Sequence, residues 1–326
     1  MDNRVGITTT VPIEVVYAAG VTPVDLNNVF ITADNPQDMV EEAELAGYPR
    51  NICAWIKGIY TTVVRNSDIR RVIAVTQGDC SNTHALMETL HLEGVDIIPF
   101  AYPFDRDRDM LKLQIEKLMQ AFGVGWDEVN KTKKTFDKVR AIIRQIDELT
   151  WQENRVRGFD NHLWQVSCSD FNGDPGKFAA EAAAFLDRAR NAPAIGIPVR
   201  LGYIGVPPIM TDLYDYLESK GARVVFNETQ RQFSMPFDTD NIVEQYSLYT
   251  YPYDIFRRLE DIAREKERRG LHGIIHYAQS FCYRQIQDLI IRRQLKVPVL
   301  TIEGDRPLYL DARTKMRIDA FIEMLK

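Results

Sequence analysis

The sequence predicts an α/β protein in which two parallel-sheet domains are joined by a helical connector. Continuous β-branched or apolar runs such as Val72 to Val75 are what strands buried on both faces of a sheet need. These runs alternate with amphipathic segments that carry helix caps and glycine stops, which is the rhythm of a parallel sheet. A chain of 326 residues also exceeds what one hydrophobic core usually fills, so two domains are expected.

Taken in order, Pro12 to Ala19 reads as a helix, with Thr8 to Thr10 as caps, Pro12 suited to the first turn and Gly20 as the stop. A short strand follows at Thr22 to Leu26, then a helix around Pro36 to Ala46. Cys53 opens a further helix that runs to Val64 and leads into the strand Arg71 to Thr76. His84 to Leu92 reads as a helix and Val95 to Phe100 as the next strand, ended by Pro103, which places an N-terminal α/β domain at residues 1–105. From Asp107 to Trp151 the period becomes helical, through Leu111, Ile115 and Leu118 and later Phe136, Val139, Ile143 and Ile146. Phe178 to Ala192 continues it, giving a connector over 106–195. The C-terminal α/β domain, 196–326, opens with a strand at Arg200 to Gly205, a helix Ile209 to Lys220 stopped by Gly221, and a strand Arg223 to Phe226. Gly273 to Tyr277 and Val297 to Ile302 supply further strands, and Arg313 to Leu325 is a closing amphipathic helix.

Composition narrows the function classes. Hydrophobic residues at 45% and charged residues at 26% describe a chain that folds throughout. A formal charge of -6 argues against a nucleic-acid surface, which needs clustered Lys and Arg in excess. The one dense basic run, Arg264 to Arg269, has Glu265 and Glu267 interleaved and reads as a solvated helix face. Met1 to Thr10 holds no apolar run, and no stretch reaches the roughly 20 apolar residues that cross a bilayer, so a cytoplasmic protein is expected. Gly202 to Gly205 before Pro207-Pro208 lacks the residues of a nucleotide loop and reads as a substrate-contacting loop. Tyr246, Tyr249, Tyr251 and Tyr253 are an aromatic patch suited to an acyl pocket, a subunit interface or the core.

Four cysteines without short regular spacing do not make a disulfide framework. Cys80 follows a strand and the loop Gln77-Gly78-Asp79, Cys282 follows the strand at Ile274-Ile275, and Cys53 opens a helix. Strand ends and helix starts favour anionic groups, so three thiolates there suit a metal or cluster, while buried structural thiols are the plainer reading. Zinc with three thiolates and a water is a further possibility. Cys168, in the connector, reads as a structural thiol.

The chain resembles the 2-hydroxyacyl-CoA dehydratases, relatives of the cluster-binding subunits of benzoyl-CoA reductase. The resemblance rests on Val11-Pro12-Ile13-Glu14 with Ala18-Ala19-Gly20 and Pro23; Cys53 with Lys57-Gly58; Gly78-Asp79-Cys80 with Asn82; Ser280-Phe281-Cys282 with Gln285; Glu303-Gly304-Asp305; and Arg313 to Ile318 running into Glu323-Met324-Leu325. It implies two Rossmann-like (flavodoxin-like) domains with one oxygen-sensitive [4Fe-4S] cluster in the cleft between them. Its ligands would be Cys53, Cys80 and Cys282, leaving one iron open. The implied activity is radical dehydration of a 2-hydroxyacyl-CoA thioester after one-electron activation by a separate ATP-dependent iron-sulfur protein. The implied assembly is a homodimer or a heterodimer with a related subunit. An iron-sulfur electron-transfer or accessory protein acting on a non-CoA substrate is the alternative, since no basic cluster for the CoA phosphates is evident.

Around the cysteines, Thr9 and Thr10 occupy the place where the family carries hydroxyls near the cluster and the thioester, though N-capping explains them equally well. Glu14 suits the helix dipole or an acid/base role, and His84 is a candidate to protonate a leaving hydroxyl. His276, Tyr277, Gln279 and Ser280 are candidates to tune the site by hydrogen bonds.

Overall fold

The computed structural model describes residues 3–326; Met1 and Asp2, with which the expected N-terminal domain begins, lie outside them. It is an α/β protein with two four-stranded sheets, every pairing parallel. The first sheet contains β1 (Arg4–Ile7), β2 (Thr22–Asp25), β3 (Arg71–Gln77) and β4 (Asp96–Ala101), in the order β2-β1-β3-β4. The second contains β5 (Val199–Gly205), β6 (Ala222–Asn227), β7 (Gly273–Gln279) and β8 (Val299–Gly304), in the order β6-β5-β7-β8. Both have the same topology, in which the first and third strands lie side by side. The chain reverses its direction of winding there, and open α/β sheets bind ligands beyond the strand ends at such a point.

The strand β1 has no clear signal in the sequence. It is four residues long and holds Gly6, where a Cβ would come within 3.0 Å of a Leu26 methyl, so its core-forming pattern is weak. The strand expected at Arg200 to Gly205 is present, and it overturns the other reading of Gly202 to Gly205 as a substrate-contacting loop. Both glycines lie inside β5, and a Cβ at Gly205 would stand 2.2 Å from the Tyr277 carbonyl oxygen. The predicted helix Ile209 to Lys220 shortens to Leu213–Ser219.

Two compact units divide the chain, neither contiguous. The first takes Met1–Ala141, Ser167–Ala179 and Met235–Asp254; the second takes Ile142–Val166, Ala180–Ser234 and Ile255–Lys326. The helix Arg108–Phe122, capped by Asp107 and ended by left-handed Gly123, lies wholly in the first unit. The long helices Trp126–Trp151 and Pro175–Arg190 are each divided between the two. Among the described residues no helix is long and apolar enough to cross a membrane.

In the first unit Glu14 is wholly buried and accepts hydrogen bonds from Arg140 (2.7 Å) and Gln245 (2.7 Å), with the Tyr246 hydroxyl 2.9 Å from its other oxygen. Burial raises its pKa, but Arg140 and Gln245 outweigh that and hold the carboxyl below its usual range. Asp170 is also buried, and its carboxylate accepts the backbone N–H groups of Asp25 (2.8 Å) and Asn172 (2.9 Å). Burial and the nearby Asp25 carboxyl push Asp170 up to about 7.

In the second unit the helix Ile255–Arg269 corrects the expectation of a solvated charged face. Arg264, Glu267 and Arg268 are exposed, but Arg258, Asp261, Glu265 and Arg269 form a buried stripe at helical spacing. Each buried charge is paired. Arg258 grips Glu228 with two hydrogen bonds (2.7 and 2.9 Å), Asp261 accepts from Arg231 (2.9 Å), and Arg269 donates to Glu265 (2.7 Å) and doubly to Asp147 (2.9 and 2.5 Å). Such a stripe holds its helix through complete pairing, because a buried charge without its partner is far more costly than a missing apolar neighbour.

Replacing Asp147 with Ala takes from the buried Arg269 guanidinium one of its two carboxylate partners and leaves it Glu265, and should lower stability by about 3 kcal/mol in denaturant unfolding. Asp170 has a second, pH-dependent consequence. Unfolded, it ionises near pH 4, whereas folded it keeps its proton to about 7, so the unfolded chain binds fewer protons over that window and stability falls as pH rises through it. The unfolding midpoint should therefore drop between pH 5 and pH 8, and Asp170→Asn should flatten that drop.

Candidate functional site

The sheet order places the threonines and Cys80 at one edge of the first sheet. Thr8 to Thr10 leave the carboxyl end of β1, and Gly78-Asp79-Cys80 leave the carboxyl end of β3, the strand paired with it. The threonine loop is tied to β3 itself. The backbone N–H of Thr8 donates to the Ile73 carbonyl (3.2 Å), and its hydroxyl accepts from the backbone N–H of Val75 (3.1 Å). Thr9 and Thr10 are buried, and the Thr10 hydroxyl has no hydrogen-bond partner among the described residues. None of the three threonines serves as the N-cap of Ile13–Ala18, a place taken by Pro12.

Cys53 is the N-cap of the helix Ala54–Arg65, and its side chain does not cap that helix. A thiolate at the start of a 12-residue helix is favoured by the helix dipole. Cys53 and the half-buried Cys80 border one apolar cluster with Trp55, Ile56 and Leu86. Lys57 and Gly58, which follow Cys53, are structural. Lys57 Nζ is buried against Glu44 (2.8 Å) and the Arg50 carbonyl (2.9 Å), and a Cβ at Gly58 would fall 2.3 Å from the Phe30 ring. Two polar groups that the sequence did not single out lie beside these thiols along the chain. The indole N–H of Trp55 and the hydroxyl of Thr83 are buried with no hydrogen-bond partner among the described residues. Orphaned donors of this kind are costly unless an acceptor meets them.

The second unit repeats the placement. Cys282 follows β7, which pairs with β5 as β3 pairs with β1, so Cys80 and Cys282 hold equivalent positions in sheets of the same order. Its turn is closely tied. The backbone N–H of Cys282 donates to the Gln279 carbonyl (3.1 Å), Gln285 Nε2 donates to the same carbonyl (3.0 Å), and the Ser280 N–H donates to the Gly304 carbonyl (2.7 Å). Gln279 in turn accepts from the Tyr277 hydroxyl (2.6 Å) and donates to the Asp305 carbonyl (3.0 Å). Phe281, next to the cysteine, is held at φ +64, a left-handed backbone that a bulky side chain rarely adopts. His276 is buried with Nδ1 2.7 Å from Asp288, and burial keeps its pKa below the ordinary value despite that carboxylate.

The remaining candidates separate clearly. His84 is exposed, with Nε2 3.0 Å from the Thr76 carbonyl. Glu14 is committed to Arg140, Gln245 and Tyr246, which leaves its carboxylate anchored in the core. Burial pushes the Cys168 thiol up to about 12, so it stays protonated at neutral pH. Tyr246, Tyr249, Tyr251 and Tyr253 are buried, and three of them pack against the ring of Tyr102 at 5.9 to 6.5 Å. Among the described residues no three His, Cys, Asp or Glu side chains form a group able to hold a metal ion.

A family model described as 2-hydroxyglutaryl-CoA dehydratase, D-component, matches residues 8–325. No curated protein matches the chain.

Gly78 stands at φ +101, and a Cβ there would meet Pro252 Cβ at 2.7 Å. Gly78→Ala should therefore destabilise the protein by about 1–3 kcal/mol, read from the unfolding midpoint.

Proposed function

The chain belongs to the 2-hydroxyglutaryl-CoA dehydratase D-component family, and on that premise we propose that it is the cluster-bearing subunit of a 2-hydroxyacyl-CoA dehydratase, with Cys53, Cys80 and Cys282 as ligands of one [4Fe-4S] cluster. The observation that carries the reading is the matched position of Cys80 and Cys282, each just beyond the third strand of a parallel sheet of the same order. The donor set fits the group. Thiolates are the ligands iron-sulfur clusters take, and the orphaned Trp55 N–H and Thr83 hydroxyl are donors suited to a sulfide-rich anion beside Cys53 and Cys80. Bound through three cysteines, such a cluster supplies one-electron chemistry and an open iron for a substrate hydroxyl.

The protein's own groups then have limited and separate tasks. The Thr10 hydroxyl, buried and uncommitted, donates to the thioester carbonyl oxygen, where a fixed donor in a dry site is worth most. Thr8 donates to and accepts from the backbone of β3 and so sets the threonine loop against the strand that leads to Cys80. His84 holds or delivers a proton at the exposed rim, where its Nε2 faces the Thr76 carbonyl. Glu14 does no proton transfer and keeps the loop Val11 to Ile13 in place. A separate ATP-dependent activator and a related or identical subunit complete the proposed system.

Anaerobic purification followed by iron and sulfide analysis tests this reading. About four irons and four sulfides per chain are expected. Each of Cys53→Ala, Cys80→Ala and Cys282→Ala should lose them and Cys168→Ala should keep them. An iron-free protein under strict anaerobiosis, or a Cys282→Ala variant that keeps its full cluster, overturns the assignment.

A further inference from the structure

We infer that Tyr251 is a positioning residue for Cys80, acting through Asp79, and that the segment Tyr249 to Tyr253 is a strap laid over the cysteine loop of the first unit. The strap is remote in sequence, 172 residues from the loop it touches, yet it meets that loop at two adjoining points. The Tyr251 hydroxyl donates to Asp79 Oδ1 (2.9 Å), the side chain immediately before Cys80. Pro252 sits against Gly78, where nothing larger than hydrogen fits.

The strap is braced on its own side as well. The Tyr251 ring stacks on Tyr249 (6.1 Å between centroids, 29° between planes), and Tyr249 meets Tyr102 edge to face (5.9 Å). The backbone N–H of Tyr102 donates to the Gln77 carbonyl (3.1 Å), at the start of the cysteine loop, and its hydroxyl donates to the Thr10 carbonyl (2.9 Å). Cys80 and Thr10, two candidates that the sequence placed 70 positions apart, are thereby referred to one rigid aromatic group. Tyrosine suits this task because its ring buries area while its hydroxyl reaches a specific acceptor. The Tyr251 hydrogen bond fixes the Asp79 side chain and with it the backbone direction at Cys80. A short loop with a left-handed glycine has a wide choice of backbone states, and an anchor from outside the loop narrows it.

The inference deepens the proposed ligand role of Cys80, but it is testable without iron. Backbone amide hydrogen exchange over residues 77–82 is measured on the full-length chain as purified, and the alkylation rate of Cys80 by iodoacetamide is measured by peptide mass spectrometry after iron is removed with a chelator. Tyr251→Phe and Asp79→Ala should each accelerate both readouts by about fivefold, the factor that one hydrogen bond supplies. Asp79→Asn keeps an acceptor for the phenol and should stay at the wild-type rate. Tyr253→Phe, which gives up its bond to the Tyr246 carbonyl (2.8 Å), should leave residues 77–82 unchanged. Wild-type exchange in Tyr251→Phe, or equal acceleration in Tyr253→Phe, overturns the inference. If Tyr251→Phe does not fold, the contrast between Asp79→Ala and Asp79→Asn decides it. Iron and sulfide content is scored separately, so a chain without a cluster whose loop still loosens in Tyr251→Phe keeps the strap and loses only the cluster reading.

Discussion

The buried carboxylate of Glu14 is the interaction on which the first unit depends. That unit is assembled from three separate stretches of chain, and Glu14 reaches all of them. It pairs directly with Arg140 of the first stretch and with Gln245 and Tyr246 of the third. The Arg140 guanidinium also lies over the ring of Phe171, 5.8 Å from its centroid, which brings in the second. A charge so placed is stabilising only while every partner is present, so the geometry around it is sharply specified. The threonine loop ends four residues before Glu14, and the tyrosine strap begins three residues after Tyr246. Both inherit their positions from this one anchor.

The second unit has the same architecture and a different adhesive. Its helix Ile255–Arg269 presents charge inward, and the sheet meets it through Glu228, which also accepts the backbone N–H of Gly205 (2.9 Å) at the end of β5. The ion-pair stripe therefore fixes the carboxyl end of the strand beside β7. In the second unit a buried carboxylate thus meets the strand end where the winding reverses, and in both units a cysteine follows the third strand. Loops at such points take their geometry from the strand ends and the packed elements that frame them.

Much of this was legible in the residues. Val72 to Val75 and Gly273 to Tyr277 announced buried strands by their unbroken apolar character, and the loops after them drew attention to Cys80 and Cys282. The family resemblance carried by the cysteine motifs agrees with the match over residues 8–325. Other features lack a local signature. The strand β1 is too short and too glycine-weakened to register, and the charged helix Ile255–Arg269 hides its buried stripe because pairing with Asp147 and Glu228 is a property of tertiary packing. The partners of Tyr251 and Glu14 lie between 126 and 232 residues away, beyond the reach of any spacing rule. The discontinuous make-up of the two units is hidden for the same reason, since helices such as Trp126–Trp151 read as uniform along their length.

This discontinuity has a consequence for biosynthesis. Glu14 emerges from the ribosome among the first residues, but Gln245 follows 231 positions later. At cellular rates of elongation the interval is on the order of tens of seconds. Throughout it Glu14 has Arg140 but lacks Gln245 and Tyr246, two of the three partners that surround it in the finished unit. The first unit therefore lacks its last segment, Met235–Asp254, until most of the chain has been made. By then β5 and β6 of the second sheet have also been made, so the first unit gains its last segment when half of the second sheet already exists.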